Sequence, residues 1–219
     1  MVDFERARTG MVNGQVRTSS ITDRKLLNVM GEVPRELFVP EARRELAYID
    51  EAHQLSEGSS PRLLAAPAPF AKLIQLGSIE PEDEILDVGC GTGYSTAVLA
   101  HLGRRVVGID TDADLINKAK KNLAALGLNN AEAVEGEVGN GMAGQLFDVI
   151  VLEGAVETVP ETLFGQLRDG GRLIAMLSRG NVAVAHLYVR SGKDVAARAE
   201  FNASLPALDM AKRPDEFVF

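Results

Sequence analysis

From residue 84 onward, short apolar runs alternate with stretches of helical periodicity. The runs fall at 84–88, 105–109, 131–134, 147–152 and 172–177, and helical patterns lie between them at 94–102, 113–126 and 161–167. Apolar residues dominate these short runs, which marks strands buried on both faces. Strands of that kind separated by helices predict a parallel sheet covered on both sides. The pattern then changes. Positions 182–190 alternate, Ser191-Gly192 supplies a turn, and 195–201 alternate again, so an antiparallel hairpin is expected to close the sheet. The predicted fold class is α/β, a doubly wound and mostly parallel sheet.

Residues before 80 show no such alternation. This part is polar and helical, with turn signals at Gly31, Pro34, Pro40 and Pro61. Thr22-Asp23 can cap a helix over 24–30 that places Leu26, Leu27 and Met30 on one face. A Ser- and Gly-rich stretch at 54–61 predicts a loop, and Pro67-Ala-Pro69 opens a helix over 70–77, because proline suits a first helical turn. The expected organisation is an N-terminal helical extension over 1–80 that packs on a core of 81–219 and covers its substrate side.

Composition narrows the picture. The 219 residues suffice for one large α/β domain with an extension, and 46% hydrophobic with 25% charged residues is ordinary for a globular protein. The net charge of −8 argues against a nucleic-acid partner, which needs a basic face. Apolar runs stay well short of the roughly 18–20 residues of a membrane span. Met1-Val-Asp-Phe-Glu-Arg6 lacks the pattern of a signal peptide, so a cytoplasmic protein with no membrane partner is expected. A single cysteine, Cys90, rules out a disulfide framework and a cysteine-based zinc site, and no metal is expected.

The strongest chemical signal is Ile85-Leu-Asp-Val-Gly-Cys-Gly-Thr-Gly-Tyr94. A strand runs directly into Gly89, Gly91, Thr92 and Gly93, which open the next helix. Glycines let backbone approach a ligand closely, and the helix start offers free N–H groups. The next strand ends at Asp110-Thr111, where a carboxylate can accept both hydroxyls of a ribose. The third strand leads into Glu137-Val138, which can meet an adenine edge. Dinucleotide enzymes also use glycine-rich turns. The Gly-x-Gly-x-Gly spacing, the antiparallel ending and an acid at Asp87, placed to answer an ammonium, favour S-adenosylmethionine as cofactor, with S-adenosylhomocysteine as product. Cys90 reads as a small filler of the turn. His53, His101 and His186 are scattered, no catalytic residue is assigned, and Leu152-Glu-Gly-Ala155 stands where nucleic-acid N-methyltransferases grip an amine. An acceptor oxygen that is already anionic fits best.

The chain resembles the protein-L-isoaspartate O-methyltransferase family. The resemblance rests on Met11-Val-Asn-Gly-Gln-Val-Arg17, Val33-Pro-Arg-Glu-Leu-Phe-Val-Pro-Glu41, Ala47-Tyr-Ile-Asp50, the glycine turn and Leu167-Arg-Asp-Gly-Gly-Arg-Leu173, over roughly residues 5–190. It implies a class I, Rossmann-like methyltransferase that repairs damaged proteins by methylating an isoaspartyl carboxylate, with a protein or peptide as partner. The family's donor-site positions fall on Asp87, Gly89, Gly91, Gly93, Asp110 and Glu137. One segment departs. Where the family has Gly-Gln-Thr-Ile-Ser-x-Pro, whose serine holds the substrate carboxylate, this chain has Arg62-Leu-Leu-Ala-Ala-Pro67. Ala65 stands at the serine and cannot donate a hydrogen bond; Ser59 and Ser60 are the nearest hydroxyls. Three readings stay open: transfer to an isoaspartyl carboxylate or another acceptor, donor binding with little transfer, and a nucleotide-dependent oxidoreductase. The C-terminal Glu216-Phe-Val-Phe219 carries no assignment.

Overall fold

The computed structural model describes residues 2–57, 61–179 and 182–210. The chain opens with α1 (Phe4–Met11), capped by the Asp3 side chain accepting from the Arg6 amide, and runs on through a π-helical turn at Val12–Val16. Helix α2 (Arg24–Glu32) starts where the sequence indicated. Asp23 accepts from the amides of Lys25 and Leu26, and Leu26, Leu27, Val29 and Met30 are buried. Two 3-10 turns follow, at Arg35–Leu37 and Glu41–Leu46. Strands β1 (His53–Gln54) and β2 (Leu63–Leu64) then pair antiparallel around the expected loop. Helix α3 (Pro67–Leu76) begins at Pro67, earlier than expected, because both prolines fit its first turn. Met11, Val16, Leu26 and Met30 share one apolar cluster with Ile85, Tyr94, Val98 and Ile174, so the N-terminal helices and the sheet close a common core.

The sheet comprises β3 (Glu84–Val88), β4 (Arg105–Asp110), β5 (Ala131–Glu135), β6 (Phe147–Val156), β7 (Leu167–Arg179), β8 (Val182–Ser191) and β9 (Asp194–Asn202), in the order β5-β4-β3-β6-β7-β8-β9. The first five are mutually parallel, while β8 pairs antiparallel with both β7 and β9. Between them lie α4 (Tyr94–Ala100), α5 (Ala113–Ala125), capped by Asp112, and the single-turn α6 (Glu161–Phe164). Strand order reverses between β3 and β6. A ligand crevice is expected there, outside the carboxyl ends of those strands.

Two details differ from the expectation. The helix predicted over 161–167 stops at Phe164, because Leu167 is already the first residue of β7 and pairs with Phe147. Strand β6 continues beyond residue 152 to Val156, with a register shift between Val151 and Ala155 that sets Glu153 and Gly154 out of the regular ladder. Beyond β9 the chain returns to this irregular end. The Ala155 amide donates to the Pro206 carbonyl (2.8 Å), and the Leu208 amide donates to the Ala155 carbonyl (2.9 Å). Leu205 and Leu208 are buried as a result. The Glu216–Phe219 motif lies outside the described residues. No helix among the described residues is long and apolar enough to cross a membrane.

Candidate active site

The glycine turn is built by its neighbours. Gly89, Gly91 and Gly93 all have positive φ (85°, 54° and 90°), a region L side chains avoid. The amides of Gly89 and Cys90 donate to the Ile109 carbonyl (2.8 and 3.2 Å), hooking the turn onto the end of β4. A Cβ on Gly89 would lie 2.8 Å from both Arg62 Nη2 and Leu208 Cδ1; on Gly91 it would lie 2.9 Å from Leu55 Cδ1. The third glycine has a different task, since a Cβ there would meet Ala119 of α5 at 3.1 Å. Two glycines thus serve close approach to the cleft, and one serves helix packing.

Asp110 binds the turn as well. Its fully buried carboxylate accepts from the Gly91 amide (2.9 Å) and from the Asp112 amide (3.2 Å). Arg62, from the far side of the cleft, completes the arrangement. Its Nη2 donates to the Gly89 carbonyl (2.6 Å) and its Nε to Asp110 Oδ2 (3.2 Å), so an ion pair bridges the two sides.

Two further acids share this space. Asp87 is fully buried, and its Oδ2 accepts from the hydroxyls of Ser95 (2.7 Å) and Thr96 (2.6 Å). Its Oδ1 has no partner among the described residues. Burial pushes the Asp87 carboxyl up to about 6; the two hydroxyls pull it back, the Asp110 charge raises it and Arg62 lowers it. The Glu153 carboxyl is driven well above the carboxylate range by burial and then by the charge of Asp87, against the pull of Arg62. Burial and the charges of Asp87 and Asp110 likewise raise the Cys90 thiol well above its ordinary value, which leaves it a packing group and not a nucleophile.

The remaining sequence candidates divide. The Thr92 hydroxyl donates to the Phe38 carbonyl (2.6 Å), tying the turn to the N-terminal part. Thr111 and Glu137 are exposed, whereas Val138 is buried in the core on its side of the sheet. The Gly136 amide donates to the Asp110 carbonyl (3.0 Å), which brings the 137–138 stretch beside Asp110. Ala65 is buried, and its carbonyl accepts from Arg35 Nη2 (2.6 Å). That arginine is fully buried, donates also to the Ala47 carbonyl (2.9 Å) and lies 4.8 Å from the centre of the Tyr94 ring. Ser59 and Ser60 lie outside the described residues. His53 is buried, His101 is exposed, and His186 faces the Val184 carbonyl on β8. Among the described residues, no group of three His, Cys, Asp or Glu side chains could hold a metal.

Sequence reasoning had not singled out Arg62, Glu153, Ser95, Thr96 or Leu208. The signal available for the first two was position alone: Arg62 heads the segment that departs from the family, and Glu153 follows directly on the strand beside the turn.

The sequence profile described as protein-L-isoaspartate(D-aspartate) O-methyltransferase matches residues 7–204. The chain belongs to this family. Relatives named protein-L-isoaspartate O-methyltransferase include one from Koribacter versatilis, 34% identical over 86% of this chain and 83% of its own length. Another, from Methylorubrum populi, is 39% identical over 80% of both. A solved structure of a protein-L-isoaspartate O-methyltransferase superposes with a TM-score of 0.80 at 23% identity, over 93% of this chain and 66% of the other. One from Plasmodium falciparum, in complex with S-adenosyl-L-homocysteine, gives 0.77 at 22% identity over 92% and 98%. At that identity the two structures establish the fold. The family's architecture is the seven-stranded, mostly parallel sheet with its antiparallel end and N-terminal helices.

Proposed function

We propose that this family member transfers a methyl group from S-adenosylmethionine to the isoaspartyl carboxylate of a damaged protein or peptide. The observation that carries the donor half is the joining of the Gly89–Gly93 turn to Asp110 around a buried carboxylate, Asp87, one oxygen of which has no partner among the described residues. The residues present fit the donor. Asp87 Oδ1 awaits a cation, Gly89 and Gly91 leave no room for a Cβ, and a guanidinium already stands as a cation between the Gly89 carbonyl and Asp110. In this reading Asp110 accepts the ribose hydroxyls and Asp87, held by Ser95 and Thr96, answers the methionine ammonium. Glu137 and Val138 take the adenine edge, and Thr92 and Thr111 flank the site through their backbone.

When bound, the donor supplies an electrophilic methyl on a sulfonium. Displacement by a carboxylate oxygen needs no general base, because the acceptor is ionised at pH 7. What the protein adds is alignment, which can account for much of the rate. Burial and the neighbouring Asp87 charge disfavour ionisation of Glu153, which limits the negative charge set against an anionic acceptor. The reading assigns residues 81–219 to donor binding, with residues 1–80 covering the acceptor side. Support comes from Thr92 bonded to Phe38 and from Arg62 reaching across to Asp110. It places the protein in the cytoplasm with protein or peptide partners and without nucleic acid or membrane, consistent with its acidic charge of −8.

A second reading, a donor-binding homologue with little transfer, draws on Ala65. That residue offers only a backbone carbonyl, and Arg35 takes it. Incubating the protein with labelled S-adenosylmethionine and an isoaspartyl peptide, beside the matching aspartyl peptide, separates the two. The proposal expects label in the isoaspartyl peptide alone, increased in Ala65→Ser. Tight S-adenosylhomocysteine binding with no label in either protein would leave the second reading, and preferential binding of NAD would remove both.

A further inference from the structure

Arg62 sits in the segment between β1 and β2, with its backbone held at both ends. Its carbonyl accepts from the Leu55 amide (2.8 Å), and its own amide donates to the Ser56 hydroxyl (2.9 Å). Held this way, the side chain extends into the cleft until only 14% of it is exposed. There the guanidinium occupies the Gly89 carbonyl and Asp110 Oδ2. Those two acceptors belong to the glycine turn and the strand end that the donor reading assigns to the cofactor. Arg62 is also the cation that eases the crowding of Asp87 and Glu153.

Arg62 and a donor compete for these groups. Asp110 Oδ2 already accepts from the Gly91 amide and from Arg62 Nε, with Nη2 at ion-pair distance, so both lone pairs of that oxygen are engaged. The guanidinium also packs directly over Gly89, where an added Cβ would meet Arg62 Nη2 at 2.8 Å. We infer that Arg62 is a built-in competitor of the methyl donor, and that donor loading must displace its guanidinium from the Gly89 carbonyl and Asp110. The inference rests on the donor reading of the site. The donor enters by exchanging its own cation and hydroxyls for the guanidinium, while the Arg62 backbone stays held by Leu55 and Ser56.

The test is calorimetric titration of S-adenosylhomocysteine into the full-length protein, Arg62→Ala and Arg62→Lys. Removing one charge-assisted competitor should tighten binding about tenfold in Arg62→Ala, with Arg62→Lys in between. A second measurement needs no variant. Trypsin cleavage at Arg62 in the wild-type protein, mapped by mass spectrometry, should accelerate when S-adenosylhomocysteine is added, because the displaced side chain becomes available. Unchanged or weaker binding by Arg62→Ala, or protection of Arg62 by the ligand, overturns the inference while leaving the donor site standing. Absence of binding by the wild-type protein and both variants overturns the donor reading itself, and this inference with it.

Discussion

Asp87 carries a charge where solvation is poorest, and replacing it should stabilise the protein while damaging its site. The carboxyl is fully buried and pushed up to about 6, roughly two units above an ordinary aspartate. At about 1.4 kcal/mol per unit, the native state bears about 3 kcal/mol in keeping the group ionised at neutral pH. The direction follows from proton binding. Between about pH 4 and pH 6 the folded protein holds a proton on Asp87 that the unfolded chain releases, so this group's contribution to stability falls as pH rises through that window and levels off above it. Asp87→Asn keeps the shape and an oxygen for the Ser95 and Thr96 hydroxyls, but carries no charge. Its stability at pH 7.5 should exceed that of the wild type by about 1–3 kcal/mol, a rise of roughly 2–4 °C in melting temperature for each kcal/mol. The gap should close as pH falls toward 4. S-adenosylhomocysteine should bind at least roughly tenfold more weakly to the variant, having lost a charge-assisted partner. Wild-type affinity should itself decline below about pH 6, with no such decline in the variant. Scanning calorimetry across pH 4–8 and titration calorimetry on both proteins provide the measurements. An Asp87→Asn variant less stable than wild type at pH 7.5, or a gap that ignores pH, would refute the argument that desolvation dominates at this position.

Two substitutions test the scaffold around the site. Gly93→Ala combines a φ of 90° with a Cβ 3.3 Å from the Ala119 Cα, and should lose about 2 kcal/mol or more in urea unfolding. Gly127→Ala, with a φ of 65° and open space around it, should lose only about 1 kcal/mol. Arg35→Lys should cost about 3 kcal/mol despite conserving charge, because an ammonium cannot serve the Ala47 and Ala65 carbonyls together and also lie against the Tyr94 ring; equal melting curves would exclude a structural role for the guanidinium fork.

What the sequence revealed tracks how local the physics is. Strands buried on both faces write themselves as largely apolar runs, so β3, β4 and the regular part of β6 were legible, and the edge strand β5 showed itself by the shorter apolar stretch at 131–134. The stretch after Pro160 was not, because Leu163, Phe164 and Leu167 have helical spacing while a single ladder pairing with Phe147 claims the last of them. Periodicity also could not show the register shift that frees Glu153. The turn and Asp110 were legible because a strand end, three glycines and the next strand end occur at short, fixed separations. Arg62 was not, since one arginine in a loop has no period and its partners Gly89 and Asp110 lie far along the chain. The same holds for Arg35, whose complete burial depends on carbonyls from two separate turns and one ring from α4.

The pairing of Ala155 with the 206–208 stretch has a kinetic corollary. The turn, its helix and β4 are neighbours in sequence and can form with small loop-closure entropy, whereas the wall that Leu208 raises over Gly89 must await a contact spanning much of the chain. In refolding, the Asp110–Gly91 hinge should therefore precede the finished cleft. Competence to bind a ligand would emerge late, and its appearance becomes a clock for the closing of the contact between Leu208 and the glycine turn.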